Sequence, residues 1–383
     1  MEPLKLGVIG GGINSAVGNT HFIASQMDNR WKIVAGCFSR NKNINEETAA
    51  FHQINNDHVY DNWIDLLENE KDCLDALCIL TPTTEHYPVL MEAIRLGYPI
   101  ICEKALVADT KQLEDIKNLL EEKNGFLAVT YNYTGYPMVR ELRKMIADGE
   151  LGDIQQVNIE MPQEGYLKID KSGYPSTPQE WRLHDKTVPV ISLDLGTHLH
   201  NMVYFLTQSN PIELICTERS LGNFDVIDDV KILAEYTNNL TVNMWYSKAA
   251  IGYRNGLRIR VFGTNASTEW YQMNPEELII NYNDGRRAIL DRASLVSEAS
   301  RTRYNRFKAG HPSGFIEAFA NYYSDIADSL IAKIKGNKIK NDYVFGVECA
   351  SEGLKMLEFA NHSAVEKRWK RVNTNEKNSH FTV

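Results

Sequence analysis

Leu4-Lys5-Leu6-Gly7-Val8-Ile9-Gly10-Gly11-Gly12-Ile13-Asn14-Ser15 is a short apolar run that breaks into three glycines. Such a run reads as a buried strand. Glycines directly after the first strand of a βαβ unit let backbone N–H groups and a helix N-terminus approach a pyrophosphate. Gly10, Gly12, Ile13 and Asn14 are therefore candidate cofactor contacts. The third glycine of G-x-G-x-x-G falls on Ser15 here, and Gly18 follows three residues later, which predicts a longer loop than usual. A tight turn with no ligand would carry the same letters, so the surrounding pattern has to decide.

Four further apolar runs follow: Trp31 to Phe38, Ala76 to Thr81, Pro99 to Cys102 and Phe126 to Thr130. Amphipathic stretches separate them, at His21 to Met27, Trp63 to Asn69, His86 to Leu96 and Thr110 to Lys123. Near-continuous apolar strands are buried on both faces, and their alternation with helices predicts an α/β fold built on a doubly wound parallel sheet. After about residue 135 the pattern changes. A helix is expected from Pro137 to Asp148 and a strand from Gln155 to Met161. A polar, Pro/Gly-rich stretch from Pro162 to Pro189 follows, then a helix from Ser192 to Leu206. From Ile212 to Ile280 strand-like runs succeed one another with short turns, predicting an open, mostly antiparallel sheet in a C-terminal α+β domain. Helices from Phe315 to Ile334 and Val344 to Ser363 close the pattern. The expected division is 1–130 for dinucleotide binding, 131–365 for substrate binding and oligomerisation, and 366–383 as a polar tail.

The 383 residues suit two or three domains at about 150 residues each. Lys and Arg total 41 against 50 Asp and Glu, a formal charge of -9, which argues against nucleic acid or an anionic membrane as partner. No apolar run approaches the roughly 18 residues that span a bilayer. The first residues lack the basic start and apolar stretch of a secretory signal. The six cysteines form no C-x-x-C pair and read as free thiols, so a reducing cytoplasm is expected. No Cys/His cluster has metal-ligand spacing, and no metal is expected.

The second apolar run ends Gly36-Cys37-Phe38-Ser39-Arg40. NAD calls for an acid at this point to hold the ribose 2′-OH. Ser39 and Arg40 instead suit a 2′-phosphate, which favours NADP over NAD; an ordinary solvated Arg40 is the other reading. The third and fourth runs lead into Thr81-Pro82-Thr83-Thr84-Glu85-His86 and Glu103-Lys104-Ala105, and a later segment reads Asp194-Leu195-Gly196-Thr197-His198-Leu199-His200-Asn201. These segments resemble the glucose–fructose oxidoreductase/inositol dehydrogenase family (Gfo/Idh/MocA), with its TPxxxH, EKP and DxGxHxxD patterns. Ala105 stands in place of the family's proline, and Asn201 in place of its final Asp.

The resemblance implies a Rossmann domain, an active site in the cleft between domains, and NAD or NADP as cofactor. It also implies a secondary alcohol or ketone of a sugar, cyclitol or nucleotide sugar as substrate. The open sheet of such proteins often packs against another subunit, so a homodimer or homotetramer is expected. It places Thr81, Pro82, His86, Glu103, Lys104 and Asn132 on the cofactor side.

The residue chemistry agrees with that picture. Oxidising a CH–OH carbon needs a proton acceptor at the hydroxyl, and His198 suits the role, since an imidazole ordinarily titrates near working pH. Asp194, four residues earlier, shares a helix face with it and can orient the imidazole. Lys104 can stabilise negative charge on the reacting oxygen, while the cofactor carries the redox change. Arg182 reads either as a contact to an anionic or polyhydroxy substrate or as a surface ion pair, and His311 as a group approaching the cleft. His200 should point away from His198. Two other functions fit the same fold: an NAD-dependent glycosidase working by transient oxidation and elimination, and a non-catalytic NAD(P)-binding protein. Retention of Lys104, Asp194 and His198 together favours simple hydride transfer.

Overall fold

The computed structural model describes residues 2–337 and 341–372. They form two compact units, one made of residues up to Gly135 with Phe315–Ser351, the other of Tyr136–Gly314 with the described residues from Glu352 on.

In the first unit β1 (Leu4–Gly10), β2 (Trp31–Cys37), β3 (Ala76–Leu80), β4 (Ile100–Cys102) and β5 (Leu127–Val129) form a parallel sheet in the order β2-β1-β3-β4-β5. Every residue of β3, β4 and β5 is buried, which is why each reads as an unbroken apolar run. A single parallel bridge from Gly36 to Val59 continues the sheet beyond β2. Around it lie α1 (Ala16–Gln26), α2 (Lys42–Phe51), α3 (Trp63–Asn69), α4 (Thr83–Arg95) and α5 (Thr110–Lys123). Ser15, Asn41, Asn62 and Asp109 cap four of them by accepting backbone N–H bonds. The sequence pattern missed α2, because it buries only Asn45, Thr48 and Ala49 and so shows almost no apolar stripe.

The second unit contains α6 (Pro137–Ala147), β6 (Ile154–Pro162) and α7 (Thr197–Thr207), which one π-helical turn (Ser192–Gly196) precedes. Then come β7 (Pro211–Arg219), β8 (Asp229–Tyr236), β9 (Leu240–Ser247), β10 (Arg258–Gly263), β11 (Ala266–Tyr271), β12 (Asn274–Tyr282) and β13 (Arg287–Leu290). Among the described residues, only β6 and β9 pair in parallel in this sheet; the other pairings are antiparallel. Along β9 buried and half-exposed residues alternate, the mark of a sheet with one covered and one open face.

Two boundaries differ from expectation. The helix α8 (Phe315–Ile334), assigned from sequence to the 131–365 domain, belongs to the first unit. Trp31 Nε1 donates to Tyr323 O at 2.9 Å and Tyr322 OH donates to Val129 O at 2.7 Å. A Cβ on Gly135 would meet Ala318 O at 2.0 Å, so only glycine allows the approach. The cut between the units then falls inside α9 (Val347–Glu366). The polar tail expected from 366 is ordered at its start: β14 (Lys370–Arg371) pairs with β7 and Val372 is buried. Residues from 373 on lie outside the described residues.

Candidate active site

The glycine loop follows β1. Gly10 and Gly11 have φ of +86° and +72°, a region side chains rarely occupy. Gly18 sits so close that a Cβ there would lie 2.3 Å from Gly11 O; it thus fills the helix-packing role that Ser15 does not. Ser15 instead accepts from Gly18 N and caps α1. Ile13 N donates to Thr48 Oγ1 at 2.9 Å, and a Cβ on Gly12 would touch Phe38 O and the Ser39 side chain, so the loop abuts the end of β2. There Ser39 Oγ accepts from Asn41 N, and Arg40 is exposed. Asn14, the remaining loop candidate, lies between Ile13 and the capping Ser15.

The ends of the next three strands carry the other candidates on this side. Thr81, just past β3, has a buried Oγ1 with no hydrogen-bond partner, and Asn132, just past β5, has a buried Nδ2 likewise unpartnered. Pro82 occupies the cap position of α4. His86 lies within hydrogen-bond distance of protein carbonyls at both nitrogens: Thr81 O at 2.7 Å from Nε2, Leu106 O at 3.0 Å and Ala105 O at 3.1 Å from Nδ1. Burial lowers its pKa, against the pull of those carbonyls. It therefore clasps the Thr81 turn to the Ala105–Leu106 loop. The Lys104–Ala105 peptide is cis although proline is absent.

Glu103 is buried beside Lys104. Its Oε1 accepts from His21 Nε2 at 2.9 Å and from Thr130 Oγ1. His21 Nδ1 lies 2.6 Å from Tyr323 OH, which lies 3.3 Å from Cys78 Sγ. Burial opposes the charge on Glu103, but the hydrogen bonds from His21 and Thr130 and the charges of His21 and Lys104 together outweigh it and hold the carboxyl at about 2. Burial likewise opposes charge on His21, yet the nearby Cys78 sulfur and the hydrogen-bonded Glu103 carboxylate push it up to about 9.

The second unit holds the other candidates. His198 lies in the first turn of α7 and is 7% exposed. Asp194 lies in the π turn before it, a geometry enriched at functional sites. Its Oδ2 accepts from Arg182 Nη1 at 2.6 Å and from Lys248 Nζ at 2.5 Å. The Arg182 guanidinium also lies 4.3 Å from the Trp181 ring centroid, and Lys248 Nζ 5.4 Å from that of Tyr166. Lys248 went unrecognised in the sequence. It follows β9, 54 residues from Asp194, and no local spacing points to it. His311 is exposed, its ring against Phe307 and its carbonyl accepting from Arg292. His200 is buried with neither ring nitrogen hydrogen-bonded, and burial alone lowers its pKa to about 4.

Residues 4–131 match the oxidoreductase family with an NAD-binding Rossmann fold, and residues 139–269 match the GFO/IDH/MocA C-terminal domain. The chain belongs to the GFO/IDH/MocA oxidoreductase family. It is 29% identical over 374 residues to an uncharacterised oxidoreductase of Bacillus subtilis (YfiI), covering 95% of each chain. It is 24% identical to levoglucosan dehydrogenase of Pseudarthrobacter phenanthrenivorans, covering 82% of this chain and 83% of that one. An inositol dehydrogenase homologue of Azotobacter vinelandii, solved with NADH and myo-inositol, superposes with a TM-score of 0.88 at 25% identity, covering 97% and 98%.

This GFO/IDH/MocA protein is accordingly an NAD(P)-dependent oxidoreductase. Its residues fit the nicotinamide dinucleotide: the glycine cradle would meet the pyrophosphate, and the unpartnered Thr81 Oγ1 and Asn132 Nδ2 are polar atoms awaiting a partner. Among the described residues no group of three His, Cys, Asp or Glu side chains is placed to hold a metal. No described helix is long and apolar enough to cross a membrane.

Proposed function

We propose that the protein interconverts a secondary alcohol and ketone on a sugar- or cyclitol-like ring. The names of the relatives, inositol and levoglucosan dehydrogenases, support this substrate class. The observation that carries it is the Glu103–Lys104 turn at the end of β4, flanked on β3 and β5 by the unpartnered polar atoms of Thr81 and Asn132.

A nicotinamide dinucleotide, when bound, would supply the hydride-transfer chemistry. Lys104 donates a hydrogen bond to the reacting oxygen and stabilises its negative charge. His198 takes the hydroxyl proton during oxidation and returns it during reduction. Asp194, fixed by Arg182 and Lys248, presents a charged acceptor to ring hydroxyls, and Trp181 offers an apolar face for the ring. Ser39 and Arg40 give NADP the advantage over NAD.

Incubating the protein with NAD or NADP and a panel containing myo-inositol, levoglucosan and free hexoses, followed by nicotinamide absorbance, tests the reading. Turnover of at least one polyol is expected. Tightly held cofactor that is never consumed, together with glycoside cleavage, would replace it with the transient-oxidation glycosidase.

The open face of the second unit's sheet supports self-association. It contains a hollow of about 600 Å³ lined by Asn158, Glu160, Lys231, Leu233, Trp245 and Arg260. A second copy would cover this mixed polar and apolar face. Sedimentation should show a dimer or larger species; a monomer at micromolar concentration would refute it.

A further inference from the structure

The chain Thr130–Glu103–His21–Tyr323–Cys78 crosses the buried heart of the first unit and joins β5, β4, α1, α8 and β3. His21 is 2% exposed and Glu103 8%. Its hydrogen bonds can be satisfied in two ways. With His21 protonated, Nε2–H donates to Glu103, Nδ1–H donates to Tyr323 OH, and the phenol donates to Cys78 Sγ. With His21 neutral, the thiol donates to Tyr323 and the phenol donates to Nδ1. Pairing favours the protonated form, because a neutral His21 would leave the buried Glu103 carboxylate only the charge of Lys104 to balance it. Lys104 also acts electrostatically on Glu103, so two cations bear on one carboxylate.

We propose that His21 is a positioning residue for Lys104: by neutralising Glu103, it keeps that carboxylate from drawing the Lys104 ammonium away from the reacting oxygen. The inference rests on the assignment of Lys104 to that oxygen. Because His21 lies on the helix whose N-terminus faces the glycine loop, the nucleotide-binding element and the lysine are mechanically joined. The titratable and charged groups bearing on His21 and Glu103 are Cys78 from β3, Cys102 from β4, His86 from α4, Tyr323 from α8 and Lys104 itself.

Acetylation of Lys104 by acetic anhydride, read by peptide mass spectrometry, tests this without any substrate, with exposed Lys111 as internal reference. In His21→Gln the uncompensated Glu103 makes Lys104 hold its proton more tightly, and labelling at about pH 8 should slow about tenfold. His21→Gln with Glu103→Gln should return the rate to within about twofold of wild type, a rescue that a purely structural histidine would not give. In the unaltered protein, the Lys104 rate should rise less steeply than that of Lys111 between about pH 8 and 9.5, as His21 loses its proton. An unchanged rate in His21→Gln, a slow double variant, or parallel slopes for the two lysines would each overturn the proposal. Turnover by Lys104→Met tests the underlying assignment separately, since labelling requires no catalysis.

Discussion

Glu103 and Asp194 are both carboxylates held by basic side chains at 2.9 Å or less, yet their surroundings are opposite. Glu103 faces one histidine inside a sealed chain whose members all come from the core of their unit. Asp194 sends a single oxygen to two cations, and the Arg182 side chain remains one quarter exposed. The first arrangement balances charge away from solvent. The second concentrates hydrogen-bond donors around one fixed anion within reach of water, as a site for a polar ligand must. Buried pairs alone are weak evidence for stability, so the difference is better read as division of labour.

The sharpest test of that division is to remove the groups assigned to chemistry. Lys104→Met and His198→Asn should each lower turnover by about 10³-fold, from lost oxyanion stabilisation and lost proton transfer respectively. NAD(H) affinity, titrated by fluorescence, should stay within about twofold. If either variant retained wild-type turnover, its residue would be structural and the corresponding role would pass elsewhere.

Asp194 gives the next largest effect. Asp194→Asn leaves Arg182 and the nearly buried Lys248 without their shared anion, and should cost about 3 kcal/mol in urea unfolding. Arg182→Met keeps the Lys248 pair and should cost nearer 1 kcal/mol. Equal losses would mean that the two cations are not held through one oxygen.

The two buried histidines His200 and His21 should respond oppositely to pH. His200 has its pKa lowered to about 4 by burial, so the unfolded chain binds its proton first as pH falls below about 6.5. Stability from this residue is therefore complete at neutral pH and is lost between about 6.5 and 4, roughly 2 kcal/mol by pH 5. His21 behaves oppositely. Its raised pKa of about 9 gives stability that is fully present below about 6.5 and is lost as pH rises through 9. Glu103, lowered to about 2, gives stability that is lost only as pH falls toward 2. Hydrogen exchange at pH 5 should show weakened protection around α7, and His200→Leu should flatten that dependence. Unchanged protection around α7 would refute it.

The same contrast explains what could be read from sequence. The five parallel strands are legible because burial on both faces writes itself into consecutive residues, as in Ala76–Leu80. The strands of the mixed sheet are legible through alternation, down to short β13, which falls below useful length. The Glu103–Lys104 and Asp194–His198 segments are legible because their letters are contiguous. Lys248 is not: it reaches Asp194 only after β9 has been laid beside β6, and sequence spacing has no access to that pairing. The return of α8 to the first unit is hidden for the same reason, since its amphipathic pattern states that a face is buried without stating against what.

Arg40 gives a small expected effect and the finest discrimination. It stands exposed at the end of β2, where no acid is present to hold a ribose 2′-OH, while the neighbouring Ser39 hydroxyl accepts from Asn41 N and helps order the turn. A guanidinium held loosely in water contributes little to a neutral diol but meets a 2′-phosphate with charge-assisted hydrogen bonds. Arg40→Ala should therefore weaken NADP binding about tenfold, near 1.4 kcal/mol, and leave NAD within about twofold. Ser39→Asp should invert the preference by placing a carboxylate where NAD would use it and NADP would be repelled. If Arg40→Ala weakened both cofactors equally, Arg40 would be acting on the pyrophosphate side or on the turn itself, and the choice between cofactors would rest on groups other than Arg40.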